Sequence, residues 1–495
     1  MSTLYENVSK VESARSAIMS AISAKGVDVP SGSRLSDLPS LIEKISSDSS
    51  GSSDVYVKFV CTDTDGVDTV ELVYPGVVKL NGKFAGNTIL KGLSVASNGS
   101  PNISPDANGM LKNCTALESA AFFDGMGQDL TNVNSMFLND TALTAVSLGT
   151  GFGKSATNAS NMFDSCYALA SVVLPSGFGA NLTSADWMFQ KCKTITSLDI
   201  PSGFGANLVN AQGMFGTCES LVSISLPSGF GSLISNAKWM FCPCQSLTSL
   251  SLPAGFGAKV TNAYETFKIC SSLKSLDLAS FGVAATNMYA TLAECSALES
   301  ITLPEGFGSA ATDMRYLFKD CSSLCGKDIY TYGKESTGND GRVSNCLVLP
   351  DKMGYVAKQT AGMFKNCSSL KAVRIPYGLG KKVADISEMF SGCSSLEYIH
   401  FVGYAEDSFG SSATDASYLF AGCTNLKEIM GYPTINCAFD LSPCQKLSAE
   451  SLEWIIVGLP YKSSTTRLTL GAALKEKVPA KYKKLAEAKN WYLYP

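Results

Sequence analysis

Chemically reactive side chains are unevenly represented in this chain of 495 residues, which has seventeen cysteines and a single histidine, His400. One imidazole leaves little room for catalysis by Ser-His or Cys-His pairs, or for metal sites built from several histidines. Seventeen thiols, in contrast, could form disulfides or bind metal ions. Their spacing along the sequence distinguishes between these uses.

Most of the cysteines recur with a period of 26 residues. The series consists of Cys114, Asp140, Cys166, Cys192, Cys218, Cys244, Cys270, Cys295, Cys321, Cys367, Cys393, Cys423 and a divergent Cys444. Equivalent positions of stacked repeats lie above one another, so we predict an internal ladder of small, buried thiols. Stacked neighbours rarely have disulfide geometry, and Asp140 shows that one position needs no sulfur. Cys242 lies close in sequence to Cys244, and Cys325 to Cys321, but two thiols are too few ligands for a metal site.

Carboxylates are the other candidates for catalysis or metal binding. Asp199 and Asp277 are predicted to lie three coils apart, about 14 Å by strand spacing, which is too far for the acid–base pair of a glycoside hydrolase. Asp63, Asp65 and Asp68 surround a predicted turn but lack the other ligands of a calcium loop. We therefore predict no catalytic residue, no metal site and no cofactor, and a protein that is not an enzyme.

Each 26-residue unit contains the apolar pattern of one short strand, as in Leu221, Ile224 and Leu226. A Met-Phe pair before the cysteine and a Gly-Phe-Gly turn after the strand add apolar bulk. One unit cannot bury these groups alone, but stacked units can. The sequence predicts an α/β solenoid over residues 102–446, with one parallel strand and one short helical turn in each of about 12 to 13 coils. An insertion at about residues 325–350 is predicted to form a loop.

The repeat pattern N-A-x-x-M-F-x-x-C-x-S-L-x-S-[LI]-x-L-P resembles the BspA-type leucine-rich repeat, a surface-protein repeat of bacteria, protists and phages. The resemblance covers about two thirds of the chain. It implies a leucine-rich-repeat solenoid that is used for adhesion or binding. It does not imply an enzyme.

The N-terminal region is predicted to be a helical docking or oligomerisation segment, residues 1–45, followed by a flexible linker, residues 46–54. The candidate docking residues are Val8, Val11, Ile18, Ile22, Leu35, Leu41, Ile42 and Ile45. This hairpin resembles the N-terminal segments of bacteriophage structural proteins such as tail fibres. The resemblance implies docking to other virion proteins and a homotrimer, although a capped solenoid held by its N-terminus could equally be a monomer.

Two further modules flank the predicted solenoid. Residues 55–101 alternate apolar and polar side chains around a turn, which predicts a small β module that caps the first coil. Residues 447–495 resemble the closing module of phage and gut-bacterial proteins with these repeats, and we predict an α/β C-terminal cap. We interpret its lysines as a solvated helix face rather than a phosphate-binding surface. They are Lys481, Lys483, Lys484 and Lys489.

Side chains that alternate with the buried strand positions are predicted to point out of the sheet. In the early coils the candidates for ligand binding are Asp199, Ser223, Ser225, Ser249, Ser251 and Asp277. In the late coils they are Arg374, Tyr398 and His400, which are bulkier and better suited to bind a sugar or a protein. Small hydroxyls could, alternatively, simply suit an exposed parallel sheet.

Composition and the chain ends narrow the function classes. A net charge of −4 gives no global basic field for nucleic acids, and no apolar stretch approaches the roughly 20 residues of a membrane span. Neither a signal peptide nor a membrane anchor is visible. We predict a phage virion protein, a tail fibre or receptor-binding protein that attaches to a host surface protein or glycan through the solenoid. The alternatives are a phage head fibre or decoration protein, and a BspA-like adhesin on the bacterial cell surface.

Overall fold

The computed structural model describes residues 56–62, 69–75, 77–97, 102–325, 328–333, 340–402 and 408–495. The predicted N-terminal helices and linker therefore lie outside the described residues, as do Asp63, Asp65 and Asp68. So do all the docking candidates, Val8, Val11, Ile18, Ile22, Leu35, Leu41, Ile42 and Ile45. Their roles stay predictions.

Short strands dominate the described part of the chain. They are β1 (Tyr56–Thr62), β2 (Thr69–Pro75), β3 (Gly92–Ser97), β4 (Ser119–Phe122), β5 (Ala145–Ser147), β6 (Ser171–Val173), β7 (Ser197–Asp199), β8 (Ser223–Ser225), β9 (Ser275–Asp277), β10 (Ser300–Thr302), β11 (Asp328–Gly333), β12 (Asp340–Val348), β13 (Ala372–Ile375), β14 (Tyr398–Phe401), β15 (Glu428–Met430), β16 (Phe439–Asp440), β17 (Thr466–Thr469) and β18 (Trp491–Tyr494). The described helices are α1 (Ala449–Gly458), α2 (Ala472–Lys477) and α3 (Ala480–Ala488).

The strands of successive coils pair in parallel and in register, so that Ser197 faces Ser223 and Asp199 faces Ser225. In the three-residue strands of the regular coils the central residue is turned into the core, as for Leu198, while its two neighbours face outward. In β15 the third residue, Met430, is buried as well. The predicted solenoid of stacked, parallel-strand coils is confirmed. At its start, β1 pairs antiparallel with both β2 and β3, and β3 pairs in parallel with β4.

The predicted helical turn of each coil is a series of hydrogen-bonded turns rather than an α-helix. In one coil the N–H of Met162 donates to the carbonyl of Ala159, at 3.2 Å, three residues earlier. The next N–H, of Phe163, instead donates to Met188 in the following coil, at 2.8 Å. Asn161 adopts a left-handed backbone (φ 56°) that allows this alternation. About half of the backbone N–H groups in this segment thus donate to the next coil instead of forming hydrogen bonds within a helix.

A polar residue, most often asparagine, begins each of these turns, and these residues form a second ladder on the side of the solenoid. Asn210, Asn236 and Asn262 are joined by parallel backbone bridges, and most other coils have Asn or Asp there. The Oδ1 atom accepts a hydrogen bond from the N–H two residues later, for example from Lys238 to Asn236 at 3.3 Å. This local hydrogen bond explains why Asn opens the N-A-x-x-M-F pattern, since Asn and Asp initiate turns in this way.

The predicted ladder of buried, unpaired thiols is confirmed. Cys192, Cys218 and their equivalents in the ladder are fully buried and form no disulfide. Each thiol in the regular coils donates to a backbone carbonyl of the preceding coil, as from Cys192 to Phe163 at 3.3 Å and from Cys218 to Phe189 at 3.1 Å. Burial raises the pKa of Cys218 to about 12, so the thiols stay protonated.

We expect a thiol reagent to modify few cysteines in the native protein, because the ladder thiols are neutral and inaccessible. Only four cysteines are partly exposed: Cys61, Cys242, Cys325 and Cys437. Titration with an aromatic disulfide reagent should modify at most these four before unfolding and all seventeen in denaturant. Rapid modification of more than four thiols in the folded protein would contradict the buried ladder.

Two rows of phenylalanine rings fill the interior between neighbouring coils. In one row Phe163, Phe189 and Phe215 stack with centroids 5.4 and 5.9 Å apart. In the other, Phe204 packs so closely against Gly179 that a Cβ atom at 179 would lie 2.1 Å from the ring. Gly179 also has a left-handed φ of 78°. The Gly-Phe-Gly turn therefore needs glycine both for its backbone conformation and for the approach of the next ring.

The predicted C-terminal cap, residues 447–495, contains a buried lysine that we predicted to be solvated. Ser448 caps α1 by accepting from the N–H of Ser451 at 3.1 Å. At the other end of α1, Lys489 is 8% exposed, and its ammonium donates to the carbonyls of Val457 and Leu459 at 2.7 and 2.8 Å. The prediction for Lys489 was wrong, because the chain turns inward immediately after α3. Lys481 and Lys484 are exposed.

Candidate recognition surfaces

The outward face of the solenoid sheet contains the early candidates. Asp199 and Ser223 lie on β7 and β8, and Ser225 is the register partner of Asp199. Ser249 and Ser251 are exposed at the equivalent positions of the next coil, to which no strand is assigned. These side chains form a continuous exposed row of small hydroxyls with one carboxylate.

Asp277 is also exposed, but on β9, which pairs with β10 rather than with the strand of Asp199. The two carboxylates are therefore not brought together on adjacent strands. Among the described residues, no group of three or more histidine, cysteine, aspartate or glutamate side chains could hold a metal ion. No helix in the described part of the chain is long and apolar enough to cross a membrane.

The late candidates are brought together. Arg374 on β13 is the register partner of His400 on β14, and Tyr398 lies two residues before His400 on the same strand face. All three side chains are half-buried. We call Arg374, Tyr398 and His400 the late cluster.

Charged neighbours fix the electrostatics of the late cluster. The guanidinium of Arg374 donates to the carboxylate of Asp351 at 2.8 Å, where the aspartate is largely exposed. Burial, together with the nearby Arg374 charge, lowers the pKa of His400 to about 4. At neutral pH the imidazole is therefore uncharged and can both donate and accept a hydrogen bond. The late cluster thus combines an aromatic ring, a paired cation and a neutral imidazole.

We expect the imidazole of His400 to titrate near pH 4 rather than near 6.5. Because it is the only histidine, its NMR signals can be followed directly in the whole protein. Arg374→Gln should raise the pKa but leave it below 6.5, since burial remains, whereas Lys371→Gln, at an exposed lysine, should leave it unchanged. A wild-type midpoint at 6 or above would show that the site is open to water.

This shift also makes stability depend on pH. Between pH 6.5 and 4 the unfolded chain binds a proton at His400 that the folded protein does not. The free energy of unfolding should therefore fall as the pH is lowered through this window. Above pH 6.5 the contribution of His400 is constant.

A second surface feature was missed by sequence reasoning. Five aromatic side chains form a row beside the asparagine ladder, and we call them the aromatic row: Trp187, Trp239, Tyr264, Tyr289 and Tyr316. Successive ring centroids lie 5.7, 5.9, 5.0 and 5.7 Å apart. All five rings are partly exposed. The signal in the sequence was an aromatic residue at either variable position of N-A-x-x-M-F, as in N-A-K-W-M-F.

Comparison with known families agrees with the repeat geometry. The model of the BspA type leucine-rich repeat region matches residues 102–211, 188–325 and 345–440, in six copies, which together exceed half of the chain. The chain belongs to the BspA-type leucine-rich repeat family. In this BspA-type protein the matches leave out residues 326–344, where β11 and part of β12 form an antiparallel hairpin.

Two solved structures are similar to the BspA-type chain. One is a leucine-rich repeat protein from Bacteroides ovatus ATCC 8483, with 16% identity over 86% of this chain and 96% of that chain, and a TM-score of 0.37. The other is a leucine-rich cell surface protein from Faecalibacterium prausnitzii A2-165, with 17% identity over 82% and 93% and a TM-score of 0.37. Neither similarity bears on function at this TM-score. No curated protein matches the chain.

Proposed function

We propose that this BspA-type protein is a non-enzymatic recognition protein that attaches to a cell surface through its solenoid. The observation that carries the proposal is the late cluster, on a sheet face that presents mainly small hydroxyls in the coils at residues 197–251. There the sheet register brings Arg374, Tyr398 and His400 together. Tyrosine and arginine dominate the binding energy of many interfaces, whereas serine contributes little.

The family supports a surface adhesin, and we take the bacterial cell surface as the first candidate location. Partners would be a surface protein or a glycan of another cell. A role in a phage virion, as tail fibre, head fibre or decoration protein, has no support from the family match or from the two solved structures. It depends on the resemblances of residues 1–45, which lie outside the described residues, and of residues 447–495, and it stays a prediction together with the homotrimer.

Attachment can be tested with beads coated with the full-length protein and a panel of bacterial and animal cells. We expect selective binding to some cells and at least a tenfold loss when Arg374, Tyr398 and His400 are replaced together by alanine. A matched variant, with Ser223 and Ser225 replaced by alanine, should bind as the wild type does. Binding to no cell type would contradict attachment as the function, and equal binding by all variants would exclude the late cluster.

Location is tested independently by electron microscopy with a gold-labelled antibody against the solenoid. Label on the cell envelope of the producing bacterium is the expected result. Label on virus particles would support the phage alternative, and its position on head or tail would separate decoration from receptor binding. Label confined to the interior of cells would contradict both locations.

A further inference from the structure

Three of the five residues of the aromatic row have a backbone conformation that disfavours bulky residues. Trp187, Trp239 and Tyr316 have left-handed φ angles of 60°, 58° and 59°. In other coils the same position is occupied by glycine, as at Gly213 and Gly362, or by a smaller residue in the same conformation, as at Ser135 and Ala290. Glycine adopts this conformation without strain, whereas large L-residues rarely do. The repeat itself imposes this conformation, and large aromatic rings are among the residues least suited to it.

The two glycines also determine how the outer rings lie. The indole of Trp187 occupies the space of a side chain at 213, because a Cβ there would be 2.0 Å from the ring. Likewise, a Cβ at 362 would be 2.5 Å from the ring of Tyr316. Each ring therefore lies across the following coil. One side of it packs on a glycine, and the ring remains partly exposed to solvent.

The charges along the row are balanced. The Nε1–H of Trp239 donates to Glu265 at 2.9 Å, and Glu265 pairs with Lys268 at 3.2 Å. Arg315 pairs with Asp313 at 2.7 Å. Lys268 also approaches the carboxylate of Glu294 at 3.7 Å, so the three cations Lys238, Lys268 and Arg315 are matched by three carboxylates. A row without net charge suits an uncharged ligand better than a polyanion.

The row is long, narrow and regular. Trp187 and Tyr316 are separated by five coil spacings, about 24 Å at the spacing of neighbouring strands. Rings recur at intervals of 5.0 to 5.9 Å, with charged hydrogen-bonding groups beside them. A linear polymer of uncharged polar rings matches this repeat. A folded protein partner would instead favour a compact apolar patch surrounded by a polar rim.

We infer that the aromatic row binds an extended, neutral polysaccharide, whose sugar rings stack on the outer faces of Trp187 and Tyr316 and whose hydroxyls bond to the charged groups between them. This inference rests on the proposed recognition function but assigns the ligand to a surface separate from the late cluster. It names the ligand class as uncharged glycan.

The test uses the full-length protein with Trp187→Gly, Tyr316→Gly and the double variant. Glycine fits the left-handed backbone, so the substitutions remove the rings without imposing new strain. The matched control is Tyr418→Gly, since Tyr418 has the same left-handed conformation (φ 57°) and is 71% exposed, but lies outside the row. Circular dichroism melts should show that all variants fold.

The probes are immobilised β-glucan, mannan, galactan and xylan, with alginate as a polyanion. We expect the wild type and Tyr418→Gly to bind at least one neutral polymer, each single variant to bind at least tenfold more weakly, and the double variant not to bind. Binding should also shift the tryptophan fluorescence of the wild type. Binding to none of the neutral polymers, binding to alginate alone, or unchanged binding by the double variant would overturn the inference.

Cell attachment separates this inference from the proposed function. If beads with the double variant still attach to cells as the wild type does, recognition stands and the row is not its glycan site. If attachment is lost in the double variant but survives enzymatic removal of cell-surface glycans, the row binds a protein and the glycan assignment is wrong. If wild-type beads attach to nothing but bind a neutral polymer, the row inference stands and the cell-surface function fails.

Discussion

Replacing Asp140 with cysteine is expected to raise the free energy of unfolding by up to about 4 kcal/mol at pH 7. Asp140 occupies a position of the thiol ladder and is fully buried. Its Oδ1 accepts from the N–H of Cys114 at 2.7 Å, but its Oδ2 has no hydrogen-bond partner among the described residues. Burial raises the pKa of this carboxyl to about 9.

The direction of the pH effect follows from this pKa. In the unfolded chain the carboxyl ionises near pH 3.9, whereas the folded protein keeps its proton up to about pH 9. The folded state therefore loses stability as the pH rises from 4 to 9, by about 1.4 kcal/mol per unit. In the folded protein a cysteine stays neutral over this range, since burial raises the pKa of the neighbouring Cys114 to about 12, and the unfolded thiol ionises only near the upper end of the range. Its thiol would donate to the carbonyl of Leu111, as Cys166 donates to Phe137.

The measurement is urea denaturation of wild type and variant at several pH values between 4 and 9. Contributions from other titrating groups cancel in the difference between the two proteins. That difference should be close to zero at pH 4 and should grow with pH. Asp140→Asn should follow the same trend, while Asp199→Ser, at an exposed carboxylate, should not. Parallel pH profiles for wild type and Asp140→Cys would show that the carboxyl is not buried in solution.

Features that every coil repeats could be predicted from the sequence. The thiol ladder and the strand positions recur about a dozen times, so irregular units such as that of Asp140 do not obscure them. The helical turn was less predictable. The bond from Phe163 to Met188 joins two coils, and local spacing within one coil contains no information about it. The apolar spacing that is typical of a helix is therefore also compatible with stacked turns.

The two candidate surfaces also differ in how far the sequence predicts them. Alternation along a strand correctly placed Arg374 and His400 outward, and the sheet register then brought them together. The aromatic row was missed because its members shift between two positions of the repeat, as Tyr264 and Trp239 show, and because glycine replaces them in some coils. Only the three-dimensional stacking of the coils reveals that Gly213 makes room for Trp187.

Lys489→Met is expected to destabilise the C-terminal cap by roughly 2–4 kcal/mol, because several carbonyls at the end of α1 lose a charged donor. The ammonium donates to Val457 and Leu459, and more weakly to Ile456 at 3.4 Å. A cation at a helix C-terminus also interacts favourably with the helix dipole. Methionine fills a similar volume but donates no hydrogen bond to these carbonyls. The expected loss of stability therefore comes from unpaired carbonyl groups rather than from poorer packing.

Hydrogen exchange is the measurement that isolates the cap. Peptides from residues 449–495 should exchange faster in Lys489→Met, while coils at residues 150–300 should be unaffected, since each coil contacts only its neighbours. Lys484→Met, at an exposed lysine of α3, is the matched control and should leave exchange unchanged. Because Trp491 is buried and its Nε1–H donates to Pro460 at 2.8 Å, loosening of the cap should also shift its fluorescence. If exchange accelerated throughout the chain instead, the cap would be needed to keep the whole solenoid folded. Its loss would then expose the strand edge of the last coil, and unfolding would start there.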